Sequence, residues 1–366
     1  MGRHRERWLR VVTVVGSFAL FLGLAEAALQ FLPVATGMRS QPVTEESPTF
    51  HFQPNRDFVF SKRWDMIMVN RGHVNNAGFI NDRDYSKEET PPLLAVVGDS
   101  FIEAAMVPFA KTMHGRLAQA LEGRLRVYSF GGSGAPLSQY VIWARHAAHE
   151  YGAQALVINI IGNDFDESFA AYKLAKGHAS YMRDVRGDLH LQLIDYNPSP
   201  VWPVLLRSAL VRYLVFNLNV PQFLENLKAR VFYWSAPPRF AGNTLADANP
   251  RRLRDSIAVI DAFFRDLPDL TGLPPDRVMF TMDGFRYPEL MAAGGGTYFD
   301  VMRRAFHAKA EALGYEVIDL DSNFFARHAR TGERFEFPHD GHWNAAGHEV
   351  AFEAVMASRL IKALVR

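Results

Sequence analysis

The chain has no cysteine. That excludes disulfides, thiolate metal centres, iron–sulfur clusters and a cysteine nucleophile. It leaves the compartment open, because exported bacterial proteins often lack cysteine too. Net charge is nearly absent as well: 40 basic residues against 39 acidic ones give +1. No large basic face follows from that balance, so nucleic acid is not an expected partner. Long apolar runs are scarce. One lies at the N-terminus, and the next best, 209–220, is interrupted by Arg212 and Asn217. Internal repeats and low-complexity tracts are also lacking.

What remains is an ordinary globular composition, 48% hydrophobic and 22% charged over 366 residues. That length suits one large domain or two, with a core that needs no staples.

The one long apolar run carries a topology signal. The first ten residues hold Arg3, Arg5, Arg7 and Arg10 against Glu6 alone. Val11 to Ala25 is uncharged, and the apolar segment continues to Leu32, about the length that crosses a bilayer core. Arginines before such a segment stay cytoplasmic, which puts the bulk of the chain outside. A cleaved signal peptide is the competing reading, with Ala25-Glu26-Ala27 as its c-region. A buried core helix is disfavoured, because only Thr13 and Ser17 are polar between Val11 and Ala25. The expected location is therefore the cytoplasmic membrane, single-pass with the domain outside, or secreted if the segment is cleaved.

The rest divides into a linker and irregular flap at 36–92 and a patterned region at 93–366. Short apolar runs at 93–98, 125–130, 155–161, 277–282 and 315–320 predict buried strands. Helical spacing predicts helices at 109–122, 139–150, 249–266, 298–313 and 345–364, with Leu253, Ile257, Ile260 and Phe264 on the inner face of the third. Such alternation implies an α/β fold, a parallel sheet with helices on both faces. Residues 165–249 show little pattern and read as an insertion, a possible cap over the site. Trp202 and Trp234 within it could stack on sugars, but core packing is the plainer expectation.

Ligands on open parallel sheets bind at the carboxyl ends of the strands. After the first strand stands Gly98-Asp99-Ser100, after the second Gly131-Gly132-Ser133-Gly134, and after the third Gly162-Asn163-Asp164. Before the last helix stands His339-Asp340-Gly341-His342-Trp343-Asn344. Each alone is also a plain turn or helix cap. Together they supply a nucleophile, oxyanion donors, a base and an orienter, all where such a sheet places a site. Asp99 and Asp164 read as loop braces that point away from the cavity. Arg251, Arg252 and Arg254 read as a solvated helix face.

With those blocks in order, residues 70–366 resemble the SGNH, or GDSL-like, hydrolase superfamily. The resemblance implies a three-layer αβα, flavodoxin-like domain of about five parallel strands. It implies Ser100 as nucleophile, His342 as base, and an oxyanion hole from the Ser100 and Gly134 N–H groups and the Asn163 side chain. The family usually sets its acid three residues before the histidine, where this chain has His339. Asp340, two before, is assigned by likeness to the Asp-x-His-Trp arrangement of relatives that acetylate bacterial exopolysaccharides. Ser129 stands where the second block often has asparagine. The stretch 75–85 and the N-terminal segment resemble a membrane-anchored bacterial group.

The expected function is a serine esterase acting on an acylated glycan or envelope ester, or an O-acyltransferase if a sugar hydroxyl accepts the acyl group. Two rivals are a metal site built from His339, Asp340, His342 and His348, and a non-catalytic envelope scaffold. The serine reading calls for no cofactor and no metal. The sequence names no protein partner.

Overall fold

The run 93–98 becomes a strand, β1 (Leu93–Gly98), in which every residue is buried. A strand without alternation needs cover on both faces. In a computed structural model describing residues 2–88, 90–220 and 248–366, it has that cover. Four strands join β1: β2 (Arg126–Gly131), β3 (Ala153–Ile160), β4 (Val278–Met282) and β5 (Glu316–Asp319). They form one sheet in the order β2-β1-β3-β4-β5, with every neighbouring pair parallel. In this flavodoxin-like order the connections leave β1 in opposite directions, which opens a crevice at the carboxyl ends of β1 and β3.

Helices α1 (Gly2–Leu29), α2 (Ser100–Glu103), α3 (Met113–Ala120), α4 (Leu137–Tyr151), α5 (Pro250–Thr271), α6 (Tyr298–Ala312), α7 (Asp321–Thr331), α8 (Ala345–Met356) and α9 (Arg359–Leu364) follow the chain. On one face of the sheet, Leu94, Val96, Val127 and Val157 share a core with Met113 and Leu117 of α3 and Val350 and Val355 of α8. On the other, Phe280 of β4 packs against Phe264 of α5 and Phe306 of α6. Helix, sheet and helix make three layers.

The five predicted strands fall within two residues of those observed. The predicted 345–364 helix is two helices, because Ser358 caps α9 by accepting the Ile361 N–H at 3.1 Å. On α5 Ile260 and Phe264 are buried as predicted, but Ile257 is 43% exposed and Val259, Phe263 and Leu267 widen the buried face. Arg252 is no free surface charge, since it pairs with Asp166 at 2.7 Å.

The chain separates into two compact units. Unit 2 comprises Arg39–Arg56, Gly72–Asn197 and Pro237–Arg366, and holds the sheet. The flap is ordered there. Asn75 closes a turn by accepting the Ala77 and Phe79 N–H groups, and Tyr85 stacks on Tyr128 of β2 at 3.9 Å. Tyr85 and Asn81 also bond Ser129, which supplies the loop support left open by the missing asparagine. The first part of the predicted insertion adds a hairpin, Ala179–Arg183 with Leu189–Leu193.

Unit 1 comprises Met1–Met38, Asp57–Arg71 and Pro198–Ala236. Its α1 is long and apolar enough to cross a membrane, with none of its span buried. Trp202 belongs here and is exposed, so the core-packing expectation fails for it. Trp234 lies outside the described residues.

Candidate active site

The Ser100 end of the site is built by β1 running into α2. Asp99 caps α2, its Oδ1 accepting the Phe101 N–H at 3.0 Å. Gly131 lets the turn press onto β2, since a Cβ there would lie 2.5 Å from the Glu103 backbone nitrogen. Ser100 sits buried at the first position of α2. Its Oγ lies 2.7 Å from His342 Nε2 and can donate to Asp99 Oδ2 at 3.0 Å.

The His342 end is a short strand, Asp340–Trp343, paired antiparallel with Glu336–Phe337. Residues two apart on a strand face the same way. Asp340 and His342 therefore share one side, and Asp340 Oδ1 bonds both Nδ1 and the backbone N–H of His342. The two-residue spacing fits here because strand geometry needs an even step. His339, at the family's usual position, is exposed. Trp343 turns to the opposite side and is buried. Asn344 caps α8, accepting the Ala346 and Gly347 N–H groups at 2.9 and 3.0 Å.

Both ends rest on a brace that the sequence reading missed. Arg286, 0% exposed, grips Asp283 with Nε and Nη2 at 2.9 and 2.6 Å. Its Nη1 donates to the Gly341 carbonyl at 2.7 Å, between acid and base. Its guanidinium lies over the Phe101 ring at 5.4 Å, next to the nucleophile. Trp343 Nε1 donates to Asp283 at 2.9 Å. One buried ion pair thus holds the neighbours of Ser100 and of His342. The available signal was position: Asp283 directly follows β4, where a site was to be sought.

The Gly134 and Asn163 side draws on the start of the insertion. Gly134 has φ +76°, the left-handed region that favours glycine. Its carbonyl accepts from Lys173 Nζ at 3.0 Å. Lys173 pairs with Glu167, and Glu167 in turn accepts Asn163 Nδ2 at 2.9 Å. Asn163 keeps a second N–H, so its amide is held while still able to donate. Asp164 is a brace as expected, accepting the Tyr140 hydroxyl and the Ile161 N–H, each at 2.8 Å. Asp99 braces the turn through Oδ1 but does not point away from the site: its Oδ2 accepts the Ser100 hydroxyl.

Burial governs the carboxyls here. It pushes Asp99 up to about 6, against hydrogen bonds and the His342 charge that pull it down. It pushes Glu103, which accepts the Ser133 N–H, up to about 7. Asp164 is raised well above the carboxylate range, by burial first and then by the Asp99 charge. The residues of the metal rival are engaged separately. Asp340 and His342 hold each other, His339 is exposed, and His348 Nδ1 accepts the Met113 N–H at 3.2 Å. Among the described residues, no group of three or more His, Asp or Glu is arranged to hold a metal ion.

No protein-family model matches the sequence, and no curated protein does. Solved structures similar to the chain include TesA, 15% identical, with a TM-score of 0.37 over 74% of this chain and 99% of that one. The lipase/acylhydrolase from Enterococcus faecalis is 12% identical, with a TM-score of 0.38 over 75% and 97%. A two-domain esterase active on acetylated mannans is 9% identical, with a TM-score of 0.37 over 75% and 49%.

Proposed function

We propose that the chain is a serine esterase of the SGNH, or GDSL-like, type, held at the cytoplasmic membrane by α1 with unit 2 outside. One observation carries the chemistry: the line Asp340 to His342 Nδ1, then His342 Nε2 to Ser100 Oγ at 2.7 Å. A carboxylate on Nδ1 fixes the tautomer that leaves Nε2 free to accept a proton.

His342 takes the Ser100 proton as Oγ attacks the ester carbonyl. Negative charge gathers on the former carbonyl oxygen, held by the N–H groups of Ser100 and Gly134 and the Asn163 amide. The C–O bond to the leaving alcohol breaks, and His342 returns the proton to that oxygen. Water, deprotonated by His342, then attacks acyl-Ser100, releasing the acid and restoring the serine. Asp340 stabilises the imidazolium in both halves. The favoured substrate is an O-acetylated glycan or envelope ester, on two supports: the location α1 implies, and the Asp-x-His-Trp likeness to exopolysaccharide-modifying relatives. If a sugar hydroxyl replaces water, the same steps make an O-acyltransferase.

The test is fluorophosphonate labelling of the full chain beside Ser100→Ala and His342→Ala. Labelling that vanishes in both variants supports the triad. A folded wild type that stays unlabelled overturns it in favour of the scaffold. Acetylated glycans, with and without acceptor sugars, then separate release of acetate from its transfer.

A further inference from the structure

Unit 1 buries Val34, Phe58 and Met68 but leaves several other large apolar side chains exposed. Phe31 is 90% exposed, Trp64 69% and Ile67 65%, and Leu32, Trp202 and Val204 are exposed as well. They lie on three stretches far apart in sequence: the residues just past α1, the turn within 57–71, and the segment before the short helix Ala209–Arg212.

Hydrogen bonds tie these stretches to the end of α1. Glu26 accepts the Ser208 hydroxyl and the Ala209 and Leu210 N–H groups at 2.7, 2.9 and 2.8 Å. The Tyr213 hydroxyl donates to the Trp64 carbonyl at 2.8 Å. Asn217 accepts the Ala35 N–H at 3.1 Å, donates to Ser61 Oγ at 2.7 Å, and takes the Arg63 N–H on its carbonyl at 2.9 Å. The exposed apolar stretches are therefore fixed where the apolar span ends, with Phe31 and Leu32 continuing it directly.

An apolar surface of this kind facing water marks an interaction site. Its make-up fits a lipid surface. Tryptophan favours the membrane–water interface, where a ring can be buried while its N–H stays wet. The described part of unit 1 beyond α1 carries Lys62, Arg63, Arg71, Arg207 and Arg212 against Asp57 and Asp65. That excess of cations suits anionic headgroups. We propose that this face of unit 1 lies in the headgroup region of the leaflet from which α1 emerges. Lipid would then hold the protein twice, by a span and by an interfacial bed. The proposal rests on the reading of α1 as a retained anchor.

The lack of native cysteine makes the test clean. Single variants Phe31→Cys, Trp64→Cys and Trp202→Cys of the full chain are labelled with an environment-sensitive fluorophore. They are reconstituted in vesicles of equal parts phosphatidylcholine and phosphatidylglycerol. Phe18→Cys reports on the span. Expected at all three interface positions are a blue-shifted emission, loss of intensity with a lipid-borne spin label, and little response to iodide. Iodide quenching at those positions, with Phe18 quenched by lipid, overturns this proposal alone. Protection from both quenchers also overturns it, since protein then covers the face. Iodide quenching at Phe18 overturns the anchor as well.

Discussion

The two units hide their apolar residues in opposite ways. In unit 2 the strand residues Leu94, Ala95, Val96 and Val97 are wholly buried, and the buried Asp283 is paired with Arg286. In unit 1 Phe31, Trp64 and Trp202 are exposed beside a small buried set that includes Phe58 and Met68, and the hydrogen bonds of Glu26 and Asn217 tie its stretches together. Unit 2 is folded against water and can aim a hydroxyl at an imidazole. Unit 1 is folded as though part of its solvent were lipid.

That contrast breaks if a substitution in one unit moves the behaviour of the other. The largest expected effect is on turnover. Ser100→Ala or His342→Ala should lower the rate of ester cleavage by about 10⁴-fold or more, while the lipid quenching of unit 1 stays unchanged. Asp340→Asn should cost about 10³- to 10⁴-fold in kcat, with His339→Ala close to wild type. Equal losses in those two variants would mean that Asp340 alone does not orient His342.

The next effect is on stability. Arg286→Met leaves Asp283 buried without its partner, a change that costs about 3–5 kcal/mol. Urea unfolding followed on unit 2 should show it, along with weaker fluorophosphonate labelling as the Gly341 carbonyl and Phe101 lose their hold.

The smallest effect is on pH dependence. Burial raises Glu103 from an ordinary 4.5 to about 7 in the folded chain. Folding therefore favours its protonated form. The stability from this group is full below about pH 4.5 and is lost as pH rises to about 7, a loss of about 3 kcal/mol. Asp99, raised from 3.8 to about 6, adds the same sign. Glu103→Gln keeps an acceptor for the Ser133 N–H, so its melting temperature should vary less between pH 5 and 8 and exceed wild type at pH 8. An unchanged slope would mean that Glu103 stays charged when buried.

The sheet was legible in the sequence because its central strands, 93–98 and 155–161, read as apolar runs and the other three, though broken by residues such as Arg126 and Glu316, alternate with segments of helical spacing. The four blocks were legible because chemistry gathers where such strands end. The brace of Asp283 and Arg286 was not, since an ion pair three residues apart in a loop looks like surface charge until the fold closes over it. Asp99 was misjudged for a related reason: a capping carboxylate has two oxygens, and only one is needed for the cap. Unit 1 was illegible for a longer-range reason. Its three pieces are separated by whole elements of unit 2, and nothing in their local pattern announces that they meet.

The order of the triad along the chain has a consequence for biogenesis. Ser100 and His342 are 242 residues apart, and the histidine comes just before α8. On the proposed topology, with the N-terminal arginines kept in the cytoplasm, Ser100 crosses the membrane well before His342 and waits without its partner. On the proposed mechanism no ester can be attacked until the residues around 342 have crossed and seated against Arg286. On the same reading, a chain that stops short of residue 342 keeps α1 and Ser100 but lacks the histidine, and should be inert.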